Sequence, residues 1–159
     1  MIKVLIVDDS ALVRQILAQG LSQAPDIQVV GQAADPYQAR DLIIKTRPHV
    51  LTLDVEMPRM DGLEFLRKLM PQYPLPVIMV SALTQRGKQI TLEALEYGAV
   101  DFVTKPSADV ARGLSRMIGQ LVEKIRMAAK TDVSRFRNRR VAAPRQPLTA
   151  KYQRALSES

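Results

Sequence analysis

Four places in the chain carry side chains able to hold or move charged groups: Asp8-Asp9, Asp54, Ser81 and Lys105. Each follows directly on a short apolar run. Taken singly they are ordinary. An Asp-Asp pair after such a run often caps a helix, a lone Ser is a turn residue, and a Lys before Pro106 is a loop residue. Brought together they would not be ordinary. Carboxylates a few ångströms apart repel by roughly several kcal/mol at an effective dielectric near ~20, and one lysine cannot balance three of them. A hard divalent cation resolves the conflict, and Mg2+ typically takes one or two carboxylates, several waters and a phosphate oxygen. Acid, hydroxyl and ammonium groups around such an ion suit phosphoryl chemistry: metal and lysine neutralise phosphoryl oxygens while the hydroxyl donates a hydrogen bond.

The apolar pattern says which elements must bring these residues together. Residues 2–7, 27–30, 50–54, 76–80 and 100–103 are short, β-branched runs that read as buried strands. Between them the apolar residues fall at helical spacing, as in Val13, Ile16, Leu17 and Leu21, or Leu63, Leu66, Leu69 and Met70. Asp35-Pro36 is a helix start and Gly98 a helix stop. The most regular pattern is the last: Val110, Leu114, Met117, Ile118, Leu121, Val122 and Ile125. Five strand-then-helix repeats predict an α/β fold, a five-stranded parallel sheet with helices on both faces. Right-handed crossovers and five strands suit the doubly wound order 2-1-3-4-5. In that order the first and third strands are neighbours, so Asp8, Asp9 and Asp54 converge at the carboxyl ends of the strands, where open parallel sheets bind their ligands.

Composition excludes several other chemistries. The 159 residues contain no cysteine and one histidine, His49, which removes disulfides, thiolate nucleophiles and multi-histidine metal sites. His49 precedes the third strand, at the end opposite the acidic pocket, and reads as a solvent-edge residue. No G-x-x-x-x-G-K-[ST] or G-x-G-x-x-G occurs, so a nucleotide cradle has no support. No apolar run approaches the ~20 residues of a membrane span, and Met1 leads into a run too short for a secretory signal; no membrane insertion and a cytoplasmic location are expected. The net charge of +7 is unevenly placed: residues 1–110 carry −2 and residues 111–159 carry +9. That basicity belongs to the tail and says nothing about the fold.

The runs Ile6-Val7-Asp8-Asp9-Ser10, Leu53-Asp54-Val55-Glu56-Met57-Pro58-Arg59-Met60-Asp61-Gly62, Val80-Ser81-Ala82 and Phe102-Val103-Thr104-Lys105-Pro106 resemble the receiver domain of two-component response regulators. Within that family the wording of the loops is most similar to the regulatory domain of the chemotaxis protein-glutamate methylesterases. The resemblance covers residues 1 to about 127 and implies a flavodoxin-like receiver fold. It implies that Asp54 accepts a phosphoryl group from a chemotaxis histidine kinase in a phosphorelay. Asp9, Asp54 and the backbone carbonyl of Glu56 would ligate Mg2+ directly, with Asp8 acting through a metal-bound water. Lys105 would pair with Asp54 and then with the phosphoryl group, whose oxygens the Ser81 hydroxyl and the Ala82 amide would bind. Ser81 and Phe102 would form the switch, the aromatic following the hydroxyl inward; by its place in a strand alone, Phe102 reads as core. The resemblance further implies a cis Lys105-Pro106 bond.

The domain is expected to end near residue 127, with 128–159 a basic linker or tail punctuated by Pro144 and Pro147. The relatives carry a C-terminal methylesterase and glutamine deamidase domain acting on chemoreceptors. No Gly-x-Ser-x-Gly elbow follows residue 128 to supply it, so the chain reads as a regulatory half whose own chemistry is its aspartyl phosphorylation and dephosphorylation. Arg135, Arg137, Arg139 and Arg140 read as a solvated linker; with few aromatics and no helix-turn-helix pattern, a nucleic-acid partner is not expected. Two other readings stand beside this one: the receiver of a transcriptional regulator severed from its DNA-binding domain, and a stand-alone receiver that acts as a phosphate sink.

Overall fold

A computed structural model describes residues 1–57, 60–82, 84–106 and 110–137. The elements follow in strict alternation: β1 (Ile2–Val7), α1 (Ala11–Ser22), β2 (Ile27–Ala33), α2 (Pro36–Thr46), β3 (Val50–Asp54), α3 (Gly62–Gln72), β4 (Val77–Ser81), α4 (Gln85–Glu96), β5 (Asp101–Thr104) and α5 (Val110–Ala128). The strands form one parallel sheet in the order β2-β1-β3-β4-β5, as the crossover rules require.

Because side chains alternate across a strand, the sheet feeds two cores. Leu5, Val7, Leu51, Leu53, Val77 and Met79 pack under α2, α3 and α4 with Ile43, Leu66, Met70 and Ala94. Val4, Ile6, Val50, Ile78 and Val80 pack under α1 and α5 with Leu17, Leu21, Leu114, Leu121 and Ile125. Burial on both faces is why these strands read as unbroken apolar runs.

Several boundaries moved for identifiable reasons. β2 continues to Ala33 rather than stopping at Val30, because the register slips between Val4 and Leu5, which pair with Val29 and Gly31. The slip sits beside a glycine: a Cβ on Gly31 would lie 3.1 Å from Leu5 Cδ1. α4 begins at Gln85, since the Thr84 hydroxyl caps it by accepting from Gly87 N at 2.9 Å. β5 runs one residue later than expected, to Thr104.

The chain also keeps packing past α5. A short 3-10 turn, Ser134–Phe136, follows, and Val133 and Phe136 are buried in the core under α3 and α4. The backbone thus passes from the α5 side of the sheet to the other side, around its lower edge. No periodic run announces this, because two apolar residues suffice.

Truncating Leu121, fully buried between α5 and the sheet, is expected to cost about 2–5 kcal/mol as Leu121→Ala. Met127→Ala, at a side chain 71% exposed, is expected to stay within about 0.5 kcal/mol. Urea midpoints at constant m-value check both.

Candidate functional site

Parallel pairing of β1 with β3 places Val7 opposite Leu53, so both strands end side by side and deliver Asp8 and Asp54 to the same rim. Asp8 and Asp54 are buried, and Asp9 is exposed. The three carboxylates each offer an oxygen within 4.8 Å of the other two. β4 brings Ser81 and β5 brings Lys105 by the same logic: Ser81 pairs with Thr104, and Lys105 N donates to Ser81 O at 2.8 Å.

Local turns aim the acidic groups. Ser10 caps α1, its hydroxyl accepting from Val13 N at 3.3 Å, while Ser10 N donates to Asp8 Oδ1 at 2.9 Å. Arg14 reaches back from α1 to donate from Nη1 to the Asp8 carbonyl at 2.6 Å. On the other side Gly62 opens α3 against the back of Asp54; a Cβ there would lie 2.5 Å from Asp54 O and 3.1 Å from Val55 Cα. Only glycine allows α3 to approach β3 that closely.

Lys105 Nζ lies 2.9 Å from Asp8 Oδ2 and 3.2 Å from Asp54 Oδ1. Burial pushes the Asp54 carboxyl up to about 7, reinforced by the Asp8 charge and by the hydrogen bond that protonated Asp54 donates to Asp9, and opposed by Lys105. For Lys105, burial disfavours the ammonium, yet Asp54 and Asp8 together outweigh it and hold the group above the usual lysine range. Lys105 therefore stays charged while Asp54 titrates near neutrality. Asp8 Oδ2 is buried, and the Lys105 ammonium 2.9 Å away meets it as an ion pair. Three carboxylates within 4.8 Å of one another, two of them buried and faced by a single ammonium, are the donor set a hard cation takes. Oxygens on an octahedral Mg2+ at ~2.1 Å stand roughly 3–4 Å apart, a spacing this cluster can meet.

The remaining expected residues divide. Ser81 is buried at the rim and its hydroxyl donates to Ala82 O at 3.1 Å. Glu56 N lies 3.4 Å from Asp54 Oδ1, which brings the Glu56 backbone to the cluster. Phe102 is packed inside the fold. It is buried in the core, with Lys124 Nζ 5.1 Å from its ring centroid and bonded to its carbonyl oxygen. The cis Lys105-Pro106 bond is not found: among the described residues every peptide bond is trans. The trans form is favoured by about 0.5–1 kcal/mol before proline, and Lys105 meets both carboxylates and Ser81 O from it. His49 lies exposed at the far end, its Nδ1 accepting from Lys3 N at 3.0 Å. Arg139 and Arg140 lie outside the described residues.

Sequence reasoning missed Arg14 and Thr84. Thr84 Oγ1 donates to Glu56 Oε1 at 3.4 Å across the mouth of the site. Neither belongs to a spaced motif; Thr84 could have been found as the cap of a helix, Arg14 only from coordinates.

In chelated, metal-free solution Asp54→Asn is expected to stabilise the protein. An acid raised from about 3.9 in the unfolded chain to about 7 costs stability as pH rises between these values. The advantage of the variant should therefore be absent below about pH 4, grow towards pH 7 and level off, reaching of order 1–4 kcal/mol. Urea midpoints across pH in EDTA measure it.

Comparison with known proteins gives a consistent picture. Residues 4–116 match the family described as response regulator receiver domain. The chain is 60% identical over 158 residues to a protein-glutamate methylesterase/protein-glutamine glutaminase of Syntrophotalea carbinolica, covering 99% of this chain and 44% of that protein. It is 57% identical over 132 residues to the protein of the same name from Thiobacillus denitrificans, covering 83% and 37%. The chain thus spans less than half the length of these relatives. Among solved structures, the response regulator domain of Thermotoga maritima CheB is similar at TM-score 0.76 and 45% identity, over 83% of this chain and 98% of that one. A chain from the complex of the P1 domain of CheA3 with CheY6 from R. sphaeroides is similar at TM-score 0.66 and 34% identity, over 82% and 98%.

Proposed function

Because the chain belongs to the response regulator receiver domain family, we propose that Asp54 is a phosphoacceptor, charged by a phosphohistidine of a chemotaxis histidine kinase in the cytoplasm. The observation that carries this reading is the placing of Asp54 between two other carboxylates and the Lys105 ammonium, 3.2 Å away.

In the transfer, an ionised Asp54 oxygen attacks phosphorus. The new P–O bond forms as the P–N bond to the kinase imidazole breaks, and the departing nitrogen recovers a proton from solvent. Lys105 favours the ionised nucleophile and then faces the phosphoryl oxygens. The Ser81 hydroxyl exchanges its Ala82 carbonyl partner for a phosphoryl oxygen, and the Ala82 amide donates to another. Asp8, Asp9, Asp54 and the backbone carbonyl of Glu56 would hold Mg2+, which when bound supplies charge and alignment for the transferring group. Near-neutral pH leaves a share of Asp54 ionised, and Lys105 enlarges it.

The gain of nearly two negative charges at Asp54 is the signal, with Ser81 and Phe102 as the switch. The names of the curated relatives support the next step of the reading, in which the signal controls a protein-glutamate methylesterase/glutaminase domain; chemoreceptors are the substrates this reading gives it. These relatives, at 57–60% identity, favour that output over a transcriptional one.

Incubated with acetyl phosphate and Mg2+, the chain is expected to gain one phosphoryl group by intact mass. Asp54→Asn or EDTA should abolish the gain, and undiminished stoichiometric labelling of Asp54→Asn would remove Asp54 from the role. Fused to the C-terminal part of the Syntrophotalea relative, the chain should make methyl-ester hydrolysis rise with phosphodonor, and Asp54→Asn should cancel the rise. A response equal in both fusions would break the link between the phosphoacceptor and this output.

A further inference from the structure

The segment after α5 packs as part of the domain. Val133 and Phe136 are 6% and 4% exposed, in the same core as Leu95, Ala99, Met70 and Phe102. The segment is built for its place. Asp132 Oδ1 accepts from Ser134 N at 2.9 Å, Phe136 N donates to Val133 O at 3.1 Å and Arg137 N to Ser134 O at 3.0 Å. The Arg135 guanidinium lies 5.0 Å from the Phe136 ring centroid. Gly98, at φ +117°, completes the seat: a Cβ there would lie 3.4 Å from Phe136 Cδ1 and 3.1 Å from Met70 Cε. A side chain would both strain that backbone and crowd the ring.

The other wall of this seat leads to the acidic site. α4 is a continuous helix of 12 residues, about 18 Å long. Its first turn lies against the switch: a Cβ on Gly87 would stand 2.6 Å from Ala82 O and 3.0 Å from Ser81 Oγ. Its last turn and the glycine after it carry Leu95 and Gly98 against the strap. One rigid element thus touches the hydroxyl that must turn towards a phosphoryl group at one end and Phe136 at the other.

We propose that the 133–136 strap is a conformational reporter of the site, held down when Asp54 is unmodified and loosened through α4 when Asp54 is phosphorylated. The proposal deepens the phosphoacceptor reading and rests on it. When Ser81 leaves the Ala82 carbonyl, the wall that Gly87 fits changes shape. A close-packed helix answers by moving as a body rather than by stretching. Phe136 shares a core with Leu95 of α4 and Met70 of α3, and Phe136 and Met70 both border Gly98, so a shift of α4 relative to α3 opens the seat. The strap then leaves its seat at the lower edge of the sheet, at the end of the fold opposite the chemistry. Coupling of this kind is reciprocal for equilibria: whatever factor the phosphoryl group adds to strap opening, opening the strap adds to binding of a phosphoryl mimic.

Hydrogen exchange on the full 159-residue chain, with Mg2+ and with or without acetyl phosphate, tests this, intact mass reporting the phosphorylated fraction. The amides of Phe136 and Arg137, which hold the turn, are expected to exchange at least about threefold faster in the phosphorylated protein and to be unaffected by acetyl phosphate in Asp54→Asn. Phe136→Ala should tighten the binding of beryllofluoride with Mg2+ by a comparable factor. Val133→Ala, a smaller truncation, should do the same to a lesser degree. A phosphorylated protein whose strap amides exchange at an unchanged or slower rate overturns the strap proposal alone. Beryllofluoride affinity unmoved by both substitutions overturns it as well. Failure of the chain to acquire a phosphoryl group overturns the phosphoacceptor reading and the strap with it.

Discussion

Like-charge crowding at the carboxyl ends of β1 and β3 is the constraint on which the rest of this domain depends. Asp8 and Asp54 are buried side by side, with Asp9 close enough to share a ligand, and burial together with the Asp8 charge disfavours the ionisation of Asp54. Lys105 offsets part of this, standing within ion-pair distance of both buried groups. Two acids against one ammonium leave a surplus of negative charge and a carboxyl at Asp54 displaced towards neutral pH. Such a pocket is held together only by a scaffold that gains its stability elsewhere, and the two apolar cores on either side of the sheet supply it. The same surplus makes the pocket respond to any change of charge beside it.

The scaffold satisfies this constraint by topology rather than by special residues. A parallel sheet sends all its carboxyl ends in one direction, and the order 2-1-3-4-5 sets β1 beside β3, with β4 and β5 following. One acidic pair, one acid, one hydroxyl and one amine, each a single step beyond its strand, therefore meet without any long-range design in the loops. Glycine is required where backbones must come close to the rim: at Gly62 behind Asp54 and at Gly87 behind Ser81. Both positions set how α3 and α4 stand relative to the pocket, so the helices most intimate with the chemistry are those with no side chain at the point of contact.

Legibility in the sequence followed the range of the interactions. Strand and helix identity came from the apolar period, which burial on two faces enforces along the whole run, so the element order and the sheet order could both be read. The convergence of Asp8, Asp9, Asp54, Ser81 and Lys105 followed from that order, since each marks the end of a strand. Features that rest on one contact between distant residues left no trace. Arg14 grips the Asp8 carbonyl, the β1–β2 register slips beside Gly31, and the Lys105-Pro106 bond stays trans, and no period or spacing encodes any of these. The burial of Val133 and Phe136 was hidden for the same reason: in a basic segment two apolar residues look incidental, although Gly98 and Met70 form a seat for one of them.

That seat bears on how a receiver can speak to other parts of a protein. On the proposed function a phosphoryl group would change charge at the upper rim of the sheet, whereas the backbone leaves the described fold at the lower edge, beside α3 and the end of α4. Charge alone does not bridge that distance efficiently, because interactions of exposed groups are screened beyond about 8–10 Å in physiological salt. Packing does bridge it, since a helix about 18 Å long moves both its ends together. The residues at the two ends of α4 are also of the kinds that give contact without adaptability. Gly87 has no side chain to rearrange between helix and switch, and Gly98 has none to cushion Phe136. Flexible side chains at either place would absorb a small displacement, while backbone set directly against its neighbours transmits it. The proposed linkage between site and strap follows from the same feature that lets the domain pack so tightly, namely that α4 and the turn after it meet Ser81 and Phe136 through glycine.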